Sequence, residues 1–136
     1  MTTTRRGDGP GSEDGFTLLE LITVVSILAI LAAIALPNYR IGIISAREAV
    51  LKEDLYRFRD LIDQYYADKG RYPASLETMV EDGYMRRIPN DPMTSTADWV
   101  VVPAEAEPGT EEEPGVYDVK SASEKVSLSG TPYNEW

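Results

Sequence analysis

From Phe16 to Leu36 the chain carries one charge, Glu20, in an otherwise predominantly apolar run that Pro37 closes. A helix needs about 20 such residues, at about 1.5 Å of rise each, to cross the hydrocarbon core of a membrane. This stretch is long enough. An ionisable group at the centre of a spanning helix costs about 2.5 to 3.5 kcal/mol, so Glu20 requires a partner or a purpose. A secretory signal peptide fits in one respect: Ala33-Ile34-Ala35 suits a small-residue cleavage site. An acid inside the apolar core, and a run beyond the usual 7 to 15 residues or so, speak against it. A plain membrane anchor leaves Glu20 without a use.

A third reading uses the whole opening of the run. Gly15-Phe16-Thr17-Leu18-Leu19-Glu20 resembles the cleavage and methylation motif of type IV pilins and type II secretion pseudopilins. The resemblance implies that a prepilin peptidase cuts between Gly15 and Phe16 and that Phe16 is N-methylated. It also implies that the apolar helix is kept and that Glu20 guides assembly into a filament. The physics agrees. Cleavage would create an amino group on Phe16, and Glu20 lies one helical turn on, about 6 Å along the axis. A carboxylate near a helix N-terminus is favoured by the exposed N–H groups and the dipole. Pairing with an ammonium group, its own or a neighbouring subunit's, would offset part of the burial cost and fix register between helices.

The leader, residues 1–15, has nothing to bury and is expected to be disordered and removed. Arg5 and Arg6 would hold it on the cytoplasmic side, although Glu13 and Asp14 lie closer to the cut than leaders of this kind normally place acids. The chain has no cysteine and no histidine. Thiol chemistry and the commonest general base and metal ligand are therefore excluded. A net charge of −10 argues against a basic face for nucleic acid.

Pro37 should kink or break the helix at the membrane edge. Beyond it, Leu51, Leu55, Phe58, Ile62 and Tyr65 recur at helical spacing, with Lys52, Glu53, Arg57, Arg59, Asp60 and Asp63 opposite. The stripe reads as core packing. Asp68-Lys69-Gly70 should end the helix through a left-handed cap. Ser75 is a suitable N-cap for a short helix stopping at Gly83. Residues 99–102, 116–119 and 126–128 read as strands, with an acidic loop over 103–115 between the first two. Trp136 should dock onto this assembly.

Asp68-Lys69-Gly70-Arg71-Tyr72-Pro73, the short helix, Ile88-Pro89-Asn90-Asp91-Pro92 and the ending from Tyr117-Asp118-Val119 to Trp136 resemble the G-type major pseudopilin of type II secretion. That resemblance implies a calcium site after Tyr117-Asp118-Val119. Asp118, Ser121, Ser123 and Glu124 would supply oxygens toward the six to eight that calcium takes. Lys120 and Lys125 in the same segment oppose a divalent cation, and a solvated turn without an ion is the other reading.

The expectation is an α+β chain in four parts: leader 1–15, transmembrane and assembly helix 16–36, amphipathic half 37–69, and head 70–136 made of a short helix and about three antiparallel strands. With no phosphate loop or catalytic constellation it would be a structural subunit and not an enzyme. It would cross the bacterial inner membrane once, with the head in the periplasm, and then homopolymerise into a periplasmic filament that exports folded proteins. Its partners would be the prepilin peptidase, minor pseudopilins and the inner-membrane secretion platform. A type IV pilin of a surface fibre and a monomeric membrane-anchored binding domain remain as alternatives.

Overall fold

The structure, a computed structural model, describes residues 2, 3, 7 and 15–136. Most of the expected leader lies outside the described residues. The elements in order are α1 (Leu18–Lys69), α2 (Leu76–Glu81), β1 (Val100–Pro103), β2 (Val116–Lys120) and a 3₁₀ turn over Tyr133–Glu135. The chain divides into two compact units, Met1–Tyr39 and Arg40–Trp136.

Helix α1 is not broken at Pro37, which lies inside it. Proline removes the N–H that would reach back to residue 33, and the helical residues on both sides carry the ladder past that gap. The helix stops where Gly70 takes a φ of 70° and donates its N–H to the Tyr66 carbonyl at 2.8 Å. Few residues other than glycine adopt that conformation at low cost.

The Arg40–Trp136 unit is built on the apolar stripe of α1. Leu51, Leu55, Phe58, Ile62 and Tyr65 are all buried, as their spacing requires. Leu76 and Met79 of α2, Trp99, Val116 and Val119 of β2, and Tyr133 complete the core. Trp99 meets Phe58 edge to face at 5.0 Å and donates its indole N–H to the Pro89 carbonyl at 2.7 Å. Ser75 caps α2 by accepting from the Thr78 N–H at 3.2 Å.

The sheet has two strands, not three. Strands β1 and β2 pair antiparallel, with Val100 opposite Lys120, Val101 opposite Val119 and Val102 opposite Asp118. The register slips between Val102 and Pro103. Such an irregularity re-aims side chains, and here Val116 and Val119, three apart, are both buried. The segment expected as a third strand makes one isolated bridge, Val126 to Pro132. Its alternation is inverted: Val126 and Leu128 are 61% and 50% exposed, and Ser127 is buried. Ser127 turns inward because it closes a turn, its N–H donating to the Thr131 carbonyl at 2.9 Å and its hydroxyl accepting from the Thr131 N–H at 3.2 Å.

The acidic loop spans 104–115, since Pro103 belongs to β1. Its ends are tied where the Ala104 N–H donates to the Gly115 carbonyl at 2.8 Å and the Val116 N–H to the Pro73 carbonyl at 2.7 Å.

Candidate functional site

The first candidate is the segment Gly15–Glu20 and the helix that follows. Gly15, Phe16 and Thr17 precede α1. Thr17 acts as its N-cap: the hydroxyl accepts from the Glu20 N–H at 3.2 Å and the carbonyl from the Leu21 N–H at 3.0 Å. Thr17-Leu18-Leu19-Glu20 has the spacing of a capping box, yet only the threonine half is made. Glu20 is exposed, and among the described residues no basic group pairs with it. Nothing among the described residues lies within 4 Å of a Cβ built on Gly15. The fold itself therefore makes no demand for glycine there.

Every residue from Gly15 to Tyr39 is exposed within the chain, with Phe16 at 84%. Helix α1 is long and apolar enough to cross a membrane. The two hydroxyl groups nearest its start add no unpaired polar group, because Thr23 donates to the Leu19 carbonyl at 2.8 Å and Ser26 to the Ile22 carbonyl at 2.7 Å. Back-bonding of this kind lets serine and threonine sit in an apolar helix. An exposed apolar surface this large suits a lipid or helical environment and not water.

The second candidate is the segment after β2. The Asp118 carboxylate accepts from Arg59 Nε at 2.8 Å and from the Val119 N–H at 2.8 Å. The Ser121 hydroxyl is fully buried and donates to Asp91. It also accepts from the Ser123 N–H at 3.1 Å. The Ser123 hydroxyl accepts from the Lys125 N–H at 3.3 Å, and Glu124 is exposed. Among the described residues no three acidic side chains gather to hold an ion. A cation needs several carboxylate or carbonyl oxygens facing one point. Here Asp118 faces the Arg59 guanidinium and both serines are spent on the protein. The four residues expected as calcium ligands do not fit the ion.

Sequence reasoning missed Glu48 and Asp91. A single oxygen of Glu48, Oε1, accepts from the Leu128 N–H at 2.8 Å and the Tyr133 hydroxyl at 2.8 Å. Burial, with Glu48 second, pushes the Tyr133 phenol up to about 12. Asp91 has no exposed surface, and its carboxylate accepts from the Met93 N–H at 2.8 Å and the Ser121 hydroxyl. In sequence Asp91 stood only within the Ile88–Pro92 stretch that carries the resemblance, and Glu48 had no signal, because its partners lie 80 and 85 residues away.

Comparison with known proteins supplies what geometry leaves open. The family model described as the prokaryotic N-terminal methylation motif matches residues 11–36. A type II secretion system core protein G of Escherichia coli (strain K12) is 32% identical over 124 residues, covering 79% of this chain and 79% of that protein. The core protein G of Pectobacterium carotovorum subsp. carotovorum is 31% identical over 115 residues, 68% of this chain and 74% of its own. That of Pseudomonas aeruginosa is 33% identical over 96 residues, 59% and 68% of the two chains. No solved structure matches. With the methylation motif matched over residues 11–36 and 32% identity along most of its length, the chain belongs to the family of type II secretion system core protein G, the pilin-like filament subunits called major pseudopilins.

Proposed function

We propose that the chain is cut between Gly15 and Phe16 by a prepilin peptidase, N-methylated at Phe16, and held in the inner membrane by residues 16–36 until it polymerises. The observation that supports this most directly is the division of labour at the start of α1: Thr17 caps the helix, and among the described residues none pairs with the Glu20 carboxylate. A neighbouring subunit's Phe16 ammonium group is the partner that such an acid needs in a low-dielectric bundle. The demand for glycine at 15 then comes from the peptidase, since nothing in the fold imposes it. Pro37 marks the edge of the apolar segment, where one missing backbone donor makes the helix easiest to bend.

On this reading the Arg40–Trp136 unit faces the periplasm and the filament forms there, with minor pseudopilins and the inner-membrane platform as partners. The protein is a building block, not an enzyme, in the export of folded proteins across the outer membrane. Membership of the core protein G family favours this over a surface pilus or a monomeric anchored domain.

Mass spectrometry of the membrane-extracted protein should show a chain starting at methylated Phe16. A start at Met1 or at Leu36 would refute the processing scheme. Glu20→Ala should leave membrane insertion intact and abolish cross-linkable filaments. If the variant still polymerises as the wild type does, Glu20 has no pairing role.

A further inference from the structure

We infer that this chain fastens its last segment, residues 127–136, with charged side chains of α1 in place of a divalent cation, so that its fold is indifferent to calcium. The fastening lies within the Arg40–Trp136 unit and is independent of how the filament assembles.

Three residues of α1 do the holding. Glu48, Lys52 and Arg59 follow one another at helical spacing, four and seven residues apart, so they share a face beside the apolar stripe. Glu48 Oε1 takes both the Leu128 N–H and the Tyr133 hydroxyl, each at 2.8 Å. Lys52 Nζ stands 4.9 Å from the centre of the Trp136 ring, within the range of a cation–π contact. Arg59 is bidentate across two segments: Nε donates to Asp118 Oδ1 at 2.8 Å and Nη2 to the main-chain oxygen of Trp136 at 3.1 Å. One guanidinium thus joins β2 to Trp136.

The segment is also closed on itself before it reaches the helix. The Gly130 N–H donates to the Ser127 carbonyl at 3.0 Å, and the Tyr133 N–H to the Lys125 carbonyl at 3.0 Å. The Trp136 indole N–H donates to the Thr131 hydroxyl at 2.9 Å, and its ring meets Tyr133 edge to face at 5.2 Å. The helix therefore receives a preformed loop at three points.

A bound cation would do the same work by drawing carboxylates and carbonyls of the loop to one centre. This chain has spent those groups elsewhere. Asp118 would have to leave Arg59, and Ser121 would have to leave the buried Asp91. Lys120 and Lys125 add positive charge to the same segment. The Arg59 guanidinium already supplies the positive charge that Asp118 needs.

The experiment uses the full chain, purified as a monomer in detergent. Its thermal midpoint is measured in EGTA and in millimolar calcium chloride, and amide exchange is followed in peptides covering 121–136. Equal midpoints and equal protection in both buffers are expected. A midpoint several degrees higher in calcium, reversed by EGTA, would overturn the inference.

Glu48→Ala and Arg59→Met should each speed exchange in 127–136 more than tenfold and lower the midpoint by roughly 5 to 15 °C. Calcium should restore neither. The milder Tyr133→Phe, which removes one hydroxyl and keeps the ring, covers the case in which a variant does not fold. It should speed exchange in the wild-type background and add little to Glu48→Ala. Unchanged exchange in all three variants would also overturn the inference.

Discussion

A methyl group added at Gly115 tests how closely the hairpin is set against the segment after α1. A Cβ built there would lie 2.7 Å from Tyr72 Cβ, 2.7 Å from the Tyr72 carbonyl oxygen and 2.8 Å from the Pro73 carbonyl oxygen. Ordinary contacts need about 3.5 Å, so each atom would have to retreat by roughly 0.7 Å. Two of the three are backbone oxygens, which move only with their peptide planes. The Pro73 carbonyl is also the acceptor for the Val116 N–H at 2.7 Å, and Val116 is buried. Overpacking of this kind costs about 1 to 3 kcal/mol, and weakening the hydrogen bond about 0.5 to 1.5 more. We expect Gly115→Ala to destabilise the Arg40–Trp136 unit by about 3 kcal/mol. At 4 to 8 °C per kcal/mol for a domain of this size, the midpoint should fall by roughly 12 to 24 °C. Near-ultraviolet circular dichroism of the detergent-solubilised chain reads the right unit, because both tryptophans, Trp99 and Trp136, lie in it. Gly42→Ala is the control. It lies inside α1 with nothing within 4 Å of its Cβ, and should be neutral or stabilising by up to about 1 kcal/mol. A Gly115→Ala midpoint within about 2 °C of the wild type would show that the hairpin yields, and that the reasoning from contact distance fails.

Two further outcomes follow from buried polar groups. Asp91→Ala would leave the Met93 N–H and the Ser121 hydroxyl without their acceptor. Buried orphans cost about 1 to 3 kcal/mol each, so the urea midpoint should drop by the equivalent of about 2 to 4 kcal/mol at constant m value, and an unchanged midpoint would refute the anchoring role. Tyr84 and Tyr133 are both raised from 10.0 to about 12, Tyr84 first by its hydrogen bond to Asp68 and then by burial, Tyr133 first by burial and then by Glu48. The folded protein favours the neutral phenols, so their stabilisation is complete below pH 10 and should be lost as pH rises toward about 12. A titration of absorbance alongside unfolding checks this, and ionisation of both groups near 10 in the folded chain would contradict it.

What the sequence made legible was short-range. The stripe from Leu51 to Tyr65 has the helical period written into it, and the Gly15–Glu20 motif depends on residues within one turn of each other. The errors arose where a contact outside the local pattern decided the outcome. Val126-Ser127-Leu128 alternates like a strand, but Ser127 is needed inside by Thr131, so the apolar pair faces out. Arg59 read as one charge on a solvated face, although its partners stand 59 and 77 residues on. The resemblance made Asp118 a calcium ligand, and its cationic partner comes from another element. Pro37 suggested a kink or a break, and the helix runs through it unbroken.

The pinch between Ala104 and Gly115 has a practical consequence. Both strands are already paired at that point, so the Glu-rich stretch beyond it hangs from a closed neck. Lengthening a closed flexible loop costs only about 0.6 kcal/mol per doubling. A small tag or fluorophore spliced in there would leave the core, the clasp and the apolar helix as they are, and would let the polymer be watched while it grows.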